Sequence, residues 1–165
     1  MTDGSIDIRR ATAADAEGVS RVVTRALRET NARDYAPHVI DRLVANFSPD
    51  RVASQIASRR AYVAVKDGVV VGTASLSDGV VKTVFVDPDH QSKGIGVQLM
   101  GAVERAARDL MVATLSVPSS VTAEGFYAKL GFVPLREEHH GDERTIVMTK
   151  DIAIPAKNGN EGITA

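Results

Sequence analysis

Residues 86–96 read Val86-Asp87-Pro88-Asp89-His90-Gln91-Ser92-Lys93-Gly94-Ile95-Gly96, and they join two stretches of different periodicity. The β-branched run before them is typical of a strand, and apolar residues recur at helical spacing after them. A helix that begins here has unsatisfied backbone N–H groups and about half a positive charge at its first turn. Because Gly94 and Gly96 have no side chains and residues 91–93 add donors, this turn suits a phosphate or pyrophosphate.

Two glycines one residue apart are a weak signal, and an ordinary strand-to-helix turn explains them equally well. The fingerprint of dinucleotide-binding folds requires a third glycine at the position where this chain has Leu99. A P-loop requires Gly-Lys-Ser or Gly-Lys-Thr at its end, and residues 94–96 read Gly-Ile-Gly. The turn therefore predicts neither a dinucleotide nor a transferable γ-phosphate.

The segments around the turn predict a parallel strand–helix–strand unit that follows a meander. Asp67-Gly68 and Ser77-Asp78-Gly79 separate three β-branched runs, which is the pattern of three antiparallel strands. Residues 113–117 (ATLSV) read as a strand after the helix, so this strand and residues 80–86 should be parallel. The apolar stripe of the intervening helix is expected to be buried at Ile95, Leu99, Val103, Ala106 and Leu110.

The rest of the chain predicts three helices near the start and two strands at the end. Residues 6–10 suit a strand, Thr12 and Asp15 have capping-box spacing, and further helices open at Pro37 and Ser48-Pro49. A short helix at residues 123–130 is ended by Gly131, and strands at 132–136 and 145–150 flank a polar loop with His139 and His140. The predicted fold class is a mixed α/β layer with one largely continuous sheet.

Composition limits the function classes. The 165 residues predict a single domain at residues 1–154 and a flexible tail at residues 155–165. A net charge of −1 argues against a nucleic-acid surface, and the lack of a long apolar run or a signal peptide predicts a cytoplasmic protein without membrane contact. Zero cysteines exclude disulfides, thiolate metal sites and a cysteine nucleophile.

Two long motifs make the chain similar to the GNAT superfamily of acyl-CoA-dependent N-acetyltransferases. The family pattern Q/R-x-x-G-x-G/A after the fourth strand is matched by residues 91–96, with V-x-P at residues 86–88. A second pattern, N-x-x-A-x-x-F-Y-x-K-L-G-F, resembles residues 120–132 (SVTAEGFYAKLGF), where Ser120 replaces the asparagine. The resemblance spans residues 6–150 and implies a GNAT fold, a mostly antiparallel mixed sheet with splayed fourth and fifth strands, flanked by helices.

The resemblance implies transfer of an acetyl group from acetyl-CoA to a primary amine by direct attack in a ternary complex. The pantetheine arm would add to the edge of the fourth strand, and Tyr127 would protonate the leaving thiolate. No metal is implied. The residues implied to bind the cofactor are Val84, Phe85, Val86, Gln91, Ser92, Lys93, Gly94, Ile95, Gly96, Val97, Ser120, Phe126 and Lys129.

The general base stays open at this point. Some family members place a glutamate on the fourth strand, where this chain has Lys82 and Thr83. Asp78 and Glu29 are candidate bases, and Tyr35 or His38 could line the acceptor side, although residues of these types more often have a surface or capping role. His139-His140 has no further spaced ligands, so no metal site is predicted.

Other functions and the acceptor also stay open. A non-catalytic acyl-CoA sensor fits the missing glutamate but not the presence of Tyr127, and an RNA-acetylating toxin fits poorly with the near-neutral charge. The segments that set specificity in this family correspond to residues 31–38 and 137–144, and both contain charges of each sign. They select no acceptor among polyamines, amino acids, antibiotics and protein amines. The resemblance leaves a homodimer open as well.

Overall fold

The computed structural model describes residues 5–153, and one seven-stranded sheet organises them. The sheet order is β1-β2-β3-β4-β5-β7-β6, and only the β4–β5 pair is parallel. The predicted mixed, mostly antiparallel sheet is thus confirmed. The strands are β1 Asp7–Arg10, β2 Arg60–Lys66, β3 Val69–Ser77, β4 Val80–Val86, β5 Thr114–Ser120, β6 Val133–His140 and β7 Glu143–Asp151. The predicted tail at 155–165 lies outside the described residues.

Five helices flank the sheet at the positions that the sequence predicts. The helices are α1 Ala16–Glu29, α2 Pro37–Ala45, α3 Pro49–Ser58, α4 Ile95–Asp109 and α5 Glu124–Lys129. Proline occupies the first position of α2 and α3, and Ser48 Oγ caps α3 by accepting from the Arg51 N–H at 3.3 Å. None of the helices within residues 5–153 is long and apolar enough to cross a membrane.

Two apolar clusters cover opposite faces of the sheet. Successive residues of β2 alternate between them, because Val63 packs with α1 and α3 whereas Ala64 packs with α4. In α4, the predicted stripe is buried at Ile95, Leu99, Val103 and Ala106. Gly72 in β3 allows this close packing, since a Cβ there would lie 3.0 Å from Leu99 Cδ1.

Two predictions about local structure are wrong. Leu110 is 51% exposed, because α4 ends at Asp109 and the chain turns away through Met111, which has a φ of +61°. His139 and His140 are the last residues of β6, and a short turn with Gly141 at a φ of +64° connects them to β7. The predicted strand at residues 132–136 was too short, because residues 137–140 (EEHH) of this exposed edge strand are all polar and show no apolar alternation.

The sheet opens between β4 and β5. Only Val80 and Ser116 are partners across this pair, and the Ser116 N–H donates to the Gly79 carbonyl at 3.0 Å. Beyond this point β5 continues to Ser120 through Pro118, whose missing N–H fits a stretch without a β4 partner. The parallel pairing and the splay of the fourth and fifth strands are therefore both confirmed.

Asp15 fastens the start of α1 to the first strand. Its carboxylate accepts two hydrogen bonds from the Arg9 guanidinium, each at 2.9 Å, and one from the Thr12 N–H at 2.8 Å. The side chain of Asp15 is only 8% exposed. The hydrogen bonds from Arg9 lower the pKa of Asp15 below its ordinary value, and those from Thr12 act in the same direction.

We expect Asp15→Asn to lower the free energy of unfolding by about 1–3 kcal/mol, because it weakens hydrogen bonds to a charged partner. The folded-state pKa of Asp15 is depressed, so its contribution is fully present above the ordinary carboxyl pKa of about 3.9 and is lost as the pH falls through the folded pKa. Urea unfolding from pH 7 down to pH 3 measures this, with the exposed Glu17→Gln as control. If Asp15→Asn lowers the free energy of unfolding by as much at pH 3 as at pH 7, the assignment is contradicted.

Candidate active site

A cavity of about 870 Å³ occupies the opening between β4 and β5. Its walls come from β4, the turn before α4, the first turn of α4, the end of β5, and α5, with the end of α1 closing one side. Twelve of the predicted cofactor residues line it, together with Tyr127: Val84, Phe85, Val86, Gln91, Ser92, Gly94, Ile95, Gly96, Val97, Ser120, Phe126 and Lys129. Lys93 is exposed in the same turn but does not line the cavity.

A β-bulge interrupts β4 beside the cavity. Thr73 of β3 faces Phe85 and Ser75 faces Lys82, so Thr83 and Val84 together oppose the single residue Ala74. Thr83 has a φ of +56°, a left-handed conformation that β-branched residues rarely adopt. The bulge lies on a strand that has lost its β5 partner, so it leaves backbone groups of β4 free to bind a ligand in the cavity.

The turn before α4 forms a concave stretch of backbone. Ser92 and Gly94 adopt left-handed conformations, with φ values of +64° and +80°, and α4 begins directly afterwards at Ile95. Successive N–H groups in such a turn, together with the free N–H groups of a helix start, favour an anion. The turn is held in place by Asp87, whose two carboxylate oxygens each lie 3.0 Å from Arg25 Nη1.

Gln91 lines the cavity, and its side chain also forms hydrogen bonds within the protein. Its Nε2 donates to the Val86 carbonyl at 3.2 Å and to Thr30 Oγ1 at 3.3 Å. The side chain therefore ties the turn to the end of β4 and to the end of α1. In this arrangement the amide positions the turn whose backbone N–H groups favour an anion.

Gly96 makes room for Phe126 of α5. A Cβ at residue 96 would lie 3.0 Å from Phe126 Cε1 and 3.1 Å from Cζ, whereas a Cβ at Gly94 would meet nothing within 4 Å. The two glycines therefore serve different purposes, a left-handed turn at Gly94 and helix–helix contact at Gly96. Phe126 is half-buried against the core and also lines the cavity.

Tyr127 is the buried aromatic residue of α5. Its side chain packs edge-on between Phe126 and Phe132, with ring centroids 5.2 and 5.5 Å away, and the residue is 4% exposed. Its hydroxyl makes no hydrogen bond within the part of the chain that the structure describes. Burial raises the pKa of Tyr127 well above its ordinary value, so the phenol stays protonated at neutral pH and can donate into the cavity.

Ser120 closes the end of β5 in place of the asparagine of the family pattern. Its Oγ accepts a hydrogen bond from the Ala123 N–H at 3.1 Å and so starts the turn into α5. A serine hydroxyl can satisfy this local role as an asparagine side chain does. Through this hydrogen bond Ser120 holds α5, and with it Tyr127, at the end of the opened strand. Ser120 also lines the cavity.

The candidate bases and acceptor residues do not line the cavity. Asp78 is exposed in the β3–β4 turn, and Glu29 pairs with Arg25 at 3.0 Å. The Tyr35 hydroxyl accepts from the Val121 N–H at 2.7 Å and donates to the Arg144 carbonyl at 3.2 Å, while His38 pairs with Asp142 at 3.0 Å. Tyr35 and His38 thus connect residues 31–38 to the β5–α5 turn and the β6–β7 hairpin.

The cavity also contains polar residues that the sequence did not identify as a site. Asn31 is 6% exposed at the end of α1, Arg59 follows α3, and Lys82 and Thr83 belong to the bulged part of β4. Among the residues that the structure covers, no aspartate or glutamate lines the cavity and no group of three or more His, Asp or Glu side chains could hold a metal. Sequence spacing could not find these residues together, because they come from three separate parts of the chain.

The comparisons with known proteins agree with this geometry. The family model of the acetyltransferase (GNAT) domain matches residues 31–150. The chain is similar to the L-amino acid N-acyltransferase MnaT of Escherichia coli (strain K12), with 30% identity over 143 residues that cover 78% of this chain and 80% of that protein.

Solved structures share the fold. A GCN5-related N-acetyltransferase from Rhodopseudomonas palustris superposes with a TM-score of 0.85 at 23% identity, covering 92% of this chain and 99% of the other. The PaiA N-acetyltransferase from Thermoplasma acidophilum, solved in complex with coenzyme A, has a TM-score of 0.76 at 18% identity and covers 90% and 99% of the two chains. The opened sheet of this chain is therefore the same architecture.

We expect Gly96→Ala to destabilise the protein by about 1–3 kcal/mol, because the added methyl group displaces the Phe126 ring from a close-packed contact. The same shift should weaken binding of coenzyme A, since the ring lines the cavity. Thermal unfolding and calorimetry with coenzyme A measure the two effects. Gly125→Ala is the matched control, because Gly125 is also a helical glycine and a Cβ there meets nothing within 4 Å. Equal behaviour of the two variants would contradict the packing role of Gly96.

Proposed function

The chain belongs to the GNAT acetyltransferase family and is an acyltransferase, and we propose that it transfers an acetyl group from acetyl-CoA to a primary amine by direct attack in a ternary complex. The observation that supports this most is a single cavity. It brings together an opened β4 edge, an anion-binding helix start and a protonated, buried tyrosine.

Residues of the cavity fit coenzyme A along its length. The backbone of residues 91–97 would hold the diphosphate at the start of α4. The edge at residues 84–86 would bind the pantetheine arm as a sheet binds an added strand. Lys129, an exposed cation among the lining residues, provides a counter-charge for a further phosphate.

The bound acetyl-CoA supplies an activated thioester. Backbone donors at the Thr83–Val84 bulge are placed to stabilise negative charge that develops on the acyl oxygen. Because the amine and the acyl donor occupy one cavity, their shared orientation supplies a large part of the acceleration. No covalent acyl-enzyme is needed, in keeping with a chain that has no cysteine.

Tyr127 acts as the general acid in this proposal. As the amine nitrogen bonds to the acyl carbon and the carbon–sulfur bond breaks, the phenol proton moves to the leaving sulfur. The proton lost by the amine goes to water, and Tyr127 regains a proton from solvent. The raised pKa of Tyr127 means that the phenol is protonated at neutral pH and therefore has a proton to donate.

Deprotonation of the amine does not require a carboxylate base here. An ammonium group in this cavity would meet the positive charges of Arg59 and Lys82, and no acidic side chain within residues 5–153 lines the cavity to offset them. Nearby positive charge lowers the pKa of an ammonium group and favours the neutral, nucleophilic amine. Water can then accept the proton.

Calorimetry with coenzyme A and a thiol-release assay with acetyl-CoA test the function together. We expect binding of coenzyme A and release of its thiol with members of a panel of amino acids, polyamines, aminoglycosides and peptides. Tight acetyl-CoA binding without thiol release for any amine would instead identify an acyl-CoA sensor. No binding of coenzyme A to the folded protein would refute both functions.

We expect Tyr127→Phe to lower kcat by about 10²–10⁴-fold while the Kd for acetyl-CoA stays within about threefold of the wild type, since only the proton donor is lost. The wild-type rate should show no alkaline decline due to this tyrosine below about pH 10, because burial raises its pKa above that of a free phenol. The half-buried Tyr62→Phe, on β2 and outside the cavity, is the control. Unchanged kcat in the Tyr127 variant at every pH would remove it from the mechanism.

A further inference from the structure

We infer that Arg59, together with Lys82, binds a carboxylate group of the acceptor, so that the substrate is an amino acid or another amine that carries a carboxylate. This inference rests on the proposed function, because it assigns the acceptor of the same cavity. Arg59 lies between α3 and β2, and it lines the cavity from the side of α3.

Arg59 has one hydrogen-bond partner in the structure as described. Its Nη1 donates to Thr83 Oγ1 at 3.1 Å, and no carboxylate of residues 5–153 lies within ion-pair distance of it. Arg25, Arg28 and Arg42 are paired with Asp87, Asp41 and Glu143. Arg59 differs from them because it lines the cavity without such a partner. A guanidinium has five N–H donors, so Arg59 retains donors for a planar, bidentate anion.

A half-buried cation without a counter-ion has an energetic cost that a bound anion would remove. Partial burial lowers the pKa of Arg59, which shows that its surroundings disfavour the charge. Lys82 lines the same cavity and has no ion-pair partner within the described range. Arg59 and Lys82 form a cationic part of the cavity wall, and no acidic side chain of residues 5–153 lines the cavity. This cationic wall is complementary to a negative group.

The position of Arg59 separates it from the phosphate groups of coenzyme A. Its partner Thr83 precedes the end of β4 by three residues, about 10 Å along an extended strand. The turn that suits the diphosphate begins beyond that end, at residues 91–96. An anion held by Arg59 therefore lies at the bulge, where the acyl carbon and the acceptor are expected to meet.

The same wall argues against cationic acceptors. A polyamine would add further ammonium groups beside Arg59 and Lys82, and like charges at close range are unfavourable where no acidic side chain compensates them. An amino acid brings one carboxylate for Arg59 and one amine for the reaction. The positive charge of Arg59 and Lys82 thus favours amino acids over polyamines, a choice that residues 31–38 and 137–144 leave open.

A purely structural role for Arg59, pinning the bulge through Thr83, makes a different prediction. In that case loss of the guanidinium would disturb β4 and weaken turnover of every acceptor equally. A carboxylate-binding role predicts a loss confined to acceptors that have the carboxylate. Matched acceptors that differ only in this group distinguish the two.

The experiment compares leucine, phenylalanine and methionine with their α-carboxamides as acceptors of the wild type, Arg59→Gln, Arg59→Lys and Lys82→Gln. We expect the wild type to prefer each acid to its amide by at least about tenfold in kcat/KM. Arg59→Gln should lower kcat/KM for the acids by roughly 10- to 100-fold, mainly through KM, and that for the amides by less than about threefold. Arg59→Lys should restore part of the loss. The exposed Arg51→Gln on α3, outside this cavity, is the control.

Calorimetric binding of the same acids and amides to the protein saturated with coenzyme A keeps the test independent of turnover. Tighter binding of the acids that disappears in Arg59→Gln supports the inference, even if no thiol is released and the proposed transfer fails. Equal binding of acids and amides by the wild type, equal losses for both in Arg59→Gln, or a preference for phosphoethanolamine over the acids would overturn it.

Discussion

The cavity exists because β4 and β5 stop pairing after Val80 and Ser116. A parallel pair inside a sheet normally satisfies the backbone of both strands, so its early end leaves N–H and C=O groups without partners. The bulge at Thr83 and Val84 bends β4 at the same level, and Pro118 has no N–H that would need a partner. Strand separation, bulge and proline together create an edge inside the protein that an extended ligand can complete.

The packing of two helices keeps this opening in shape. Gly72 lets α4 lie directly on β3, and Gly96 lets Phe126 of α5 press against the first turn of α4. Tyr127 is thereby buried between two aromatic rings next to the opened strand. The same burial that stabilises the core raises the pKa of the phenol, so packing and the ability to donate a proton have one physical cause.

Charge is distributed unevenly between the cavity and its surroundings. Acidic residues close to the site make contacts outside it. Asp87 and Glu143 form ion pairs with Arg25 and Arg42, and an Asp142 carboxylate oxygen lies 3.0 Å from His38 Nε2. These pairs fasten the turn before α4 and join residues 31–38 to the β6–β7 hairpin. Arg59 and Lys82 line the cavity, and no acidic side chain of residues 5–153 does, so this part of the cavity is complementary to negative charge.

The sequence by itself determined the order of helices and strands, the turn at residues 86–96 and the placement of Tyr127, because periodicity, turn residues and two contiguous motifs are local properties. It failed for Leu110, where the helix ended one residue early, and for residues 137–140, the polar second half of β6 that was predicted as a loop. Only the tertiary structure decided that Gln91 binds the protein itself, that Gly96 accommodates Phe126, and that Arg59 reaches Thr83. Such contacts join residues far apart in the chain, and their geometry depends on how the layers pack.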